Sequence, residues 1–367
     1  MILKLVRVIS DIDISQKRVF VRADLDVPIE TTKDERLTSN AEIATRLTNL
    51  KPTVDYLLGH GASQIVIAGH IDRPTGSDPA FSTKQLIKPL EKILGREILF
   101  VPDLFSHSRH SIRSSASYDR ESDSHFREND SGLILLENLR FWPGETENNQ
   151  EFAKQLANLA DIYINEAFGN CHRNHASVVA LPALLPHAAG IHLAKEVEVL
   201  SALLKNPKKP FVAIVGGAKI ETKLPLVEHL SKIADFVLVG GELPKAIENL
   251  KLKIENLEHI IIGRLTEDGK DISEESIKQF TDVIANAKTV VWNGPLGLFE
   301  QGYDKGSIAV ARAIIESPAY EVVGGGETVE FLVKNNLLSR FSFVSSGGGA
   351  MLEFLSGKTL PALKALE

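Results

Sequence analysis

Apolar runs of strand length alternate along this chain with amphipathic stretches of helix length. The runs stand at residues 19–21, 65–68, 133–136, 161–165, 211–215, 236–239, 289–292, 321–323 and 341–346. Alternation of this kind is typical of βαβ units, in which helices connect neighbouring strands and cover both faces of a parallel sheet. The sequence therefore predicts an α/β fold built on parallel sheets.

The length of the chain predicts two domains. Its 367 residues exceed the roughly 100 to 200 residues that one domain usually contains. Residues 191–206 carry an apolar stripe of helical period and end at Asn206-Pro207, as expected for a helix followed by a linker. We therefore expect two Rossmann-like domains, each a parallel sheet flanked by helices, joined by an interdomain helix and a hinge, for which the helix 191–206 and Asn206-Pro207 are the candidates.

Composition excludes several classes of protein. The formal charge of −7 argues against the broadly basic surface of a nucleic-acid-binding protein. Cys171 is the only cysteine, so the chain cannot form an internal disulfide. No apolar run approaches the roughly 18 residues of a membrane helix, and the N-terminus has no signal-peptide pattern. We expect a soluble cytoplasmic protein with neither nucleic-acid nor membrane partners.

Charged and polar side chains follow each of the four apolar runs in the first half. They are Arg22, Asp24, Asp26, His70, Asp72, Arg73, Glu137, Asn138, Arg140, Glu166, His172, Arg173 and His175, with the aromatic Phe168 among those after the fourth run. Ligands of parallel α/β sheets bind beyond the carboxyl ends of the strands, so these side chains should converge. One arginine alone is more often a solvated surface charge. Their recurrence after four strands predicts an anion-binding edge.

Glycine takes the same place in the second half. The runs there are followed by Gly216-Gly217, Gly240-Gly241, Asn293-Gly294-Pro295, Gly324 to Gly326 and Gly347 to Gly349. Backbone N–H groups and helix N-termini suit a polyphosphate, which needs many donors close together. A lone glycine pair is more often a turn, but two triple-glycine runs that each enter a helical segment exceed what turns require. This edge should be lined by backbone.

Two lysines follow the first glycine pair. Lys219 and Lys223 stand four residues apart in the stretch 210–223, which reads as a strand, two glycines and a helix. On a helix this spacing puts both charges on one side. Tight packing of the strand on the helix is the alternative for this stretch taken alone. With the other glycine-ended strands it predicts a phosphate cradle.

A serine-rich segment interrupts the first half. Residues 106–130 mix charges of both signs and contain little that could be buried. Such composition predicts a poorly ordered loop. Its acids nearly balance its arginines, which disfavours a role in binding nucleic acid.

Several motifs occur in the order in which one enzyme family has them. They are KRVFVRADLDVP, GHIDRPTG, LLENLRFWPGE, INEAFGNCHRNHAS, VGGAKIETK, VVWNGPLGLFE, GGGET and SSGGGAMLEFLSGKTLP. On these motifs the chain resembles the phosphoglycerate kinases from end to end. The resemblance implies a 3-phosphoglycerate-binding domain (1–190), an interdomain helix (191–206), a nucleotide-binding domain (207–349) and a C-terminal segment (350–367) that returns to the first domain.

The resemblance also implies roles for individual residues. The substrate residues would be Asp24, Asp26, Arg46, His70, Arg73, Arg140 and Arg173, where Arg46 is identified by its place six residues before Pro52-Thr53-Val54. The nucleotide residues would be Gly216, Gly217, Lys219, Lys223, Gly240, Gly241, Asn293, Pro295, Glu300, Gly324, Gly325, Gly326, Glu327 and Thr328. Glu300 would contact the ribose hydroxyls, and Glu327 stands at the position of the Mg²⁺ ligand.

Some positions depart from the family pattern. Asp26 stands where the family usually has Asn, which puts an extra acid near an anionic substrate and lowers affinity unless an arginine pairs with it or it is turned away. Other departures are Glu166 and Glu327 for Asp, Thr222 for Asp, Glu242 for Gly, Leu243 for Met, and a shortened stretch before Trp292.

The implied activity is that of a glycolytic phosphotransferase with a carboxyl group as acceptor and ATP or ADP as the second substrate. The acceptor carboxylate, with a pKa near ~4, is already ionised at neutral pH, so no general base is required. Lys223 and Arg46 are expected to neutralise charge on the transferred group, with Lys219 and the amides of Gly348 and Gly349 assisting. The family implies a monomer whose two domains close on a hinge.

Two alternatives of other classes remain open. A non-catalytic, nucleotide-binding relative would explain Asp26, Glu327 and the shortened adenine region. A dehydrogenase of the Rossmann class is disfavoured, because a G-x-G-x-x-G turn followed by an acid about 20 residues later is absent at every strand end.

Overall fold

The computed structural model describes residues 6–28, 46–103, 132–249 and 259–367. The chain folds into two compact units. Unit 1 comprises Met1–Val197 together with Pro361–Glu367, and unit 2 comprises Glu198–Leu360. The division therefore falls inside the helix that was predicted over 191–206, and the finer bounds of the four predicted segments stay predictions.

Unit 1 is built on a six-stranded parallel sheet. Its strands are β1 (Arg18–Arg22), β2 (Gln64–Ala68), β3 (Ile98–Val101), β4 (Gly132–Leu136), β5 (Ile162–Asn165) and β6 (His187–Ala189), in the order β3-β4-β2-β1-β5-β6. Its helices are α1 (Lys51–Gly59), α2 (Ile87–Leu94), α3 (Pro143–Thr146), α4 (Gln150–Ala157) and α12 (Pro361–Lys364), while α5 (Ile191–Lys205) begins in this unit.

The central strands of unit 1 are buried on both faces. In β1 every residue from Val19 to Arg22 is buried, and Val19 pairs with Ile65 of β2 and with Ile162 of β5. Strands covered on both sides read as continuous apolar runs rather than as alternating ones. This burial explains why the apolar runs marked these strands, and it directs their carboxyl ends toward one common edge.

Unit 2 repeats the architecture. Its strands are β7 (Phe211–Val215), β8 (Phe236–Val239), β9 (Ile260–Ile262), β10 (Thr289–Asn293), β11 (Tyr320–Gly324) and β12 (Phe343–Ser345), in the order β12-β11-β10-β7-β8-β9. Its helices are α6 (Ile220–Leu230), α7 (Leu243–Asn249), α8 (Glu274–Ile284), α9 (Lys305–Glu316), α10 (Gly326–Lys334) and α11 (Gly349–Leu355). Trp292 and Phe280 are fully buried in its core.

The predicted α/β class with two parallel sheets is confirmed. Strands β3, β6 and β9 were not predicted; β6 and β9 have only three residues each, too few to show a periodic pattern. The expected loop at 106–130 lies outside the described residues. Within the described ranges, every helix is too short or too polar to cross a membrane.

Candidate active site

The carboxyl-end edge of unit 1 gathers the side chains that follow β1, β2, β4 and β5. Arg22 ends β1 and is fully buried, and its guanidinium lies 2.8 Å from Nδ1 of His70, which follows β2. The guanidinium also donates to Oγ of Ser177 at 2.8 Å and to the carbonyl of Ala23 at 2.6 Å. Arg22 is thus committed to protein partners behind the edge, whereas Nε2 of the buried His70 lies 3.8 Å from the half-exposed carboxylate of Asp26.

Acidic side chains at this edge are partly satisfied by protein donors. The carboxylate of Asp26 accepts from the backbone N–H of Asp72 at 2.8 Å and lies 3.8 Å from Nε2 of His70. Arg46 donates to the backbone carbonyl of Asp26 at 3.0 Å and lies 3.6 Å from the carboxylate of Asp24. The N–H of Asp72 therefore takes up part of the charge that Asp26 adds to this edge.

Positive charges crowd the centre of the edge. Burial and the neighbouring Arg22, Arg140, His175 and Arg173 hold the pKa of His70 well below its usual value. Burial, followed by Arg140, Arg22, Arg173 and His172, lowers the pKa of His175 to about 4. Because the arginines in this cluster repel one another, the cluster gains stability when an anion binds among them.

Arg140 has capacity to bind such an anion. It is buried, it donates to the carbonyl of Asp72 at 2.6 Å, and its Nε has no hydrogen-bond partner among the described residues. Burial lowers its pKa to about 10, against the opposing effect of Asp26. Arg73 is exposed on the loop that follows Asp72. Of the arginines that were predicted to bind substrate, Arg140 is thus buried at this edge and Arg73 is exposed.

Glu166 differs from the other residues that follow β5, because its carboxylate caps a helix. Its carboxylate accepts from the hydroxyl of Thr53 at 2.6 Å and from the N–H groups of His192 at 3.0 Å and Leu193 at 3.1 Å. The N–H of Ile191 donates to Thr53 at 2.8 Å. Glu166 and Thr53 together cap the first turn of α5, so Glu166 is a structural residue beside the edge.

The position of the Glu166 carboxylate also explains why residue 190 is a glycine. A Cβ added to Gly190 would overlap the carboxylate of Glu166. The glutamate in place of a shorter acid therefore occupies the space beside Gly190. The sequence offered no signal for this pairing, since residues 166 and 190 belong to different elements.

The edge of unit 2 is formed by crossing backbone segments. The N–H of Gly216 donates to the carbonyl of Asn293 at 2.9 Å, and the N–H of Gly217 donates to the carbonyl of Pro295 at 2.8 Å. Gly294 has φ of +97°, and a Cβ there would overlap the carbonyl of Gly216. The ends of β7 and β10 can approach this closely only because both turns are glycine.

Lys223 is the buried charge at this edge. It is 5% exposed, and its Nζ donates to the carbonyl of Asn293 at 3.3 Å and also to the side-chain oxygen of Asn293. Burial lowers its pKa to about 8, although Glu327 opposes the shift; Lys219 adds to it. Lys219 is exposed and lies 4.0 Å from the carboxylate of Glu327. The two lysines are therefore placed differently, one buried and one in solvent.

Two helix N-termini open at the same edge. Gly325 precedes α10 with φ of +97°, Glu327 lies in the first turn, and Thr328 accepts from the N–H of Gly294 at 2.7 Å. Gly348 precedes α11 with φ of +46°. Met351 of α11 lies 3.9 Å from the side-chain nitrogen of Asn293, which ties this helix to the end of β10.

The remaining predicted nucleotide positions lie around these groups. The N–H of Gly240 donates to Val215 at 3.0 Å, and the N–H of Gly241 donates to Leu296 at 3.1 Å. Glu300 is exposed in a short turn after β10. Gly240 and Gly241 thus link β7, β8 and the loop after β10, while the Glu300 side chain is free to reach a ligand from solvent.

A cavity of about 550 Å³ opens beside the carboxyl ends of β8 and β9. It is lined by Pro244, Lys245, Ile247 and residues 262–269. Of the predicted nucleotide positions, none contributes to this lining. Lys223 and Glu327 are likewise not among the residues that line it.

A protein-built metal cage is absent from the described part of the chain, which contains no group of three or more His, Cys, Asp or Glu side chains suited to one ion. Glu327 is a single, half-exposed carboxylate beside Lys219. Mg²⁺ is commonly held by one or two carboxylates together with substrate phosphates and water. The donor set at Glu327 fits that mode of binding.

Comparison with known proteins points to one family. A family model described as phosphoglycerate kinase matches residues 9–259 and 245–358. The chain is 34% identical to phosphoglycerate kinase of Borrelia hermsii over 99% of both chains, and 33% identical to the cytosolic phosphoglycerate kinase of Triticum aestivum over 98% of this chain and 97% of the relative.

Solved structures give the same match. Phosphoglycerate kinase from Coxiella burnetii superposes with a TM-score of 0.79 at 31% identity, and the enzyme from Pyrococcus horikoshii with a TM-score of 0.79 at 25% identity. Both matches cover 98% of this chain and 98% of the other. The similarity therefore extends over both units.

Proposed function

The chain belongs to the phosphoglycerate kinase family, and we propose that it catalyses reversible, Mg²⁺-dependent phosphoryl transfer between ATP and the carboxylate of 3-phosphoglycerate. The products are ADP and 1,3-bisphosphoglycerate. The observation that carries the proposal is that unit 1 has an arginine-rich edge and unit 2 has a glycine-lined edge that holds a buried lysine.

The edge of unit 1 is suited to the acceptor. Arg73, Arg140 and Arg173 would hold the phosphate of 3-phosphoglycerate, because planar guanidinium groups match phosphate oxygens in pairs. The buried Nε of Arg140, which has no hydrogen-bond partner among the described residues, supports this role. His70 and Arg46, together with Asp24 and Asp26, would orient the carboxylate end of the substrate.

The reaction does not need a general base. The acceptor carboxylate is ionised at neutral pH, so its oxygen is already nucleophilic. His70 and His175 have pKa values held below their usual value, so both rings are neutral at pH 7 and are weak bases. These residues therefore bind and orient the substrate.

The edge of unit 2 is suited to the nucleotide. The N-terminus of α10 and the glycine turns after β7 and β10 present backbone to the phosphates. Lys219 would contact a phosphate from solvent, and Glu300 would contact the ribose. Glu327 would hold Mg²⁺ together with phosphate oxygens, and the bound ion would neutralise part of their charge.

Charge on the phosphoryl group in transfer would be neutralised by Lys223 and Arg46. Lys223 is already desolvated and held by Asn293, so little reorganisation is required when charge develops beside it. The N–H groups at Gly348 and Gly349, where α11 begins, would assist. Because the two substrates bind to separate units, transfer also requires that the bound ligands be brought together.

Turnover with Mg-ATP and 3-phosphoglycerate tests the proposal, with the acyl phosphate consumed by a coupled dehydrogenase. Turnover that needs all three components is the expected result. Binding of both ligands without turnover would contradict the proposal and identify a non-catalytic relative. A parallel assay with glycerate, which lacks the phosphate, should give no turnover if the arginines act as proposed.

A further inference from the structure

We propose that Glu145, Ser177 and Arg22 form a buried hydrogen-bonded chain that holds His70 in the tautomer with hydrogen on Nε2, so that this N–H points toward the acceptor. The inference rests on the proposed function, because it assigns a purpose to His70 within that substrate site. The three residues are positioning residues and do not contact the substrate themselves.

The hydrogen bonds from Glu145 to His70 form an unbroken series, and the four residues that they join are buried. Glu145 of α3 accepts from the hydroxyl of Ser177 at 2.6 Å and from the backbone N–H of Ser177 at 2.9 Å. Ser177 in turn accepts from Nε of Arg22 at 2.8 Å, and Arg22 lies 2.8 Å from Nδ1 of His70. Glu145, Ser177 and Arg22 are all 0% exposed, and His70 is 1% exposed.

The direction of every hydrogen bond follows from the chemistry of the groups. A guanidinium can only donate, so Nδ1 of His70 must accept and its proton must lie on Nε2. Because Nε of Arg22 donates to the Ser177 oxygen, the Ser177 hydroxyl keeps its own hydrogen to donate to the carboxyl oxygen of Glu145. Each group has one possible role, and the order from Glu145 to His70 cannot be reversed.

The charges around His70 keep the ring neutral. Arg22 on β1, Arg140 after β4, and His175 and Arg173 after β5 all oppose protonation, and Asp26 after β1 is the acid that faces the ring. Burial is the largest cause of the lowered pKa. A neutral ring in a fixed tautomer offers a hydrogen-bond donor without adding another positive charge to a crowded edge.

The tautomer matters for binding an anion. With hydrogen on Nε2, the ring presents a donor to an oxygen of the substrate, and the protein carboxylate that faces this nitrogen, Asp26, lies 3.8 Å away. With hydrogen on Nδ1, the lone pair of Nε2 would face the substrate oxygen and repel it. Arg22 excludes this second arrangement by occupying Nδ1.

Nitrogen-15 NMR of the full chain measures the tautomer directly, with the His70 signal assigned by its loss in His70→Asn. At pH 7 we expect a neutral ring with the shift pattern of an Nε2–H tautomer. We expect this pattern to persist from about pH 6 to pH 8. A His70 ring protonated at Nδ1, either as the other tautomer or as the cation at pH 7, would overturn the proposal.

Ser177→Ala removes the hydroxyl that connects Glu145 with Arg22 in this series of hydrogen bonds. We expect a mixture of His70 tautomers and a KM for 3-phosphoglycerate raised about tenfold, as for one lost hydrogen bond to an anion, with kcat changed less than twofold. Ser177→Thr, which keeps the hydroxyl, should restore the tautomer. A matched control is Ser201→Ala, another buried serine, whose hydroxyl has no partner in the described residues and whose loss should leave both readouts unchanged.

The outcomes separate this inference from the proposed function. An active enzyme whose Ser177→Ala variant keeps a pure Nε2–H tautomer would overturn the inference alone. If the protein fails to phosphorylate 3-phosphoglycerate but His70 shows the expected tautomer, the positioning chain stands and the proposed function fails. If Ser177→Ala is poorly folded, the tautomer in the unmodified protein still decides the question.

Discussion

The carboxyl-end edge of unit 1 is lined by side chains, whereas that of unit 2 is lined by backbone. Arg140, His70 and His175 fill the first with positive and neutral donors. Gly216 and Gly294 let two backbone segments of the second cross at close range. Both edges arise from the same six-stranded parallel architecture, so the difference comes from residues placed just after the strands.

An edge lined by side chains and an edge lined by backbone suit two different kinds of anion. A small acceptor has few oxygens, and directional guanidinium and imidazole groups can fix each of them. A polyphosphate has many oxygens in a row, and backbone N–H groups at helix starts match such a row without bulky side chains. On the proposed function, the acceptor site would be held by buried side-chain networks and the nucleotide site by glycine.

Lys223 departs from the contrast between the two edges, because it is a buried side chain at the edge that backbone lines. Its replacement is therefore expected to have the largest effect. We expect Lys223→Ala to lower kcat about 10²- to 10³-fold, as for loss of a preorganised charge in the transition state. The KM for ATP should change little. Steady-state kinetics measures both, and an unaffected kcat would contradict the role of Lys223.

A second prediction concerns the backbone itself. Gly294→Ala puts a Cβ into the carbonyl of Gly216 at a positive φ, so we expect a loss of roughly 3 kcal/mol in stability and a melting midpoint lower by about 6–12 °C. Gly326→Ala is the matched control, since an added Cβ there meets no atom within 4 Å. Equal melting midpoints for the two variants would show that the crossing is not tightly packed.

The pH dependence offers a third test. Burial lowers the pKa of Lys223 to about 8, so the free enzyme loses this charge as the pH rises above about 8. We expect kcat/KM for ATP to fall about tenfold per unit above that pH. Lys223→Arg stays charged and should remove this fall if it retains activity. A profile of the unmodified enzyme that stays flat to pH 10 would refute the assignment.

The smallest effect is expected at the cap of α5. Glu166→Gln keeps the size of the side chain but loses the charge that accepts from His192 and Leu193. We expect a loss of about 1 kcal/mol, seen as a melting midpoint lower by about 2–4 °C. Glu151→Gln, at an exposed ion pair with Lys154, is the control and should change it by less than about 1 °C.

The sequence predicted which residues lie at the carboxyl-end edges of the sheets, but it did not predict their buried hydrogen-bond partners. Residues directly after long apolar strands, such as Arg140 and Gly294, could be placed because strand ends meet at one edge of a parallel sheet. Arg22 could be placed there too, but its burial and its partner Ser177, 155 positions away, could not. Local patterns do not encode such pairings, which depend on how α3 and the segment after β5 pack.

The cap of α5 shows the same limit. Glu166 follows β5 and was grouped with the anion-binding side chains, yet its carboxylate turns to Thr53 and the start of α5. Chain position gives the edge on which a residue lies, but the direction of its side chain depends on whether buried N–H groups nearby need an acceptor.

Calorimetric titration of each ligand separately tests the division between the two edges most directly. Arg140→Ala should weaken the binding of 3-phosphoglycerate about 10- to 100-fold, as for lost hydrogen bonds to a charged group, and leave Mg-ADP affinity within about twofold. Lys219→Ala should weaken Mg-ADP and leave 3-phosphoglycerate unchanged. If each variant weakens both ligands equally, the assignment of acceptor and nucleotide to separate edges is wrong.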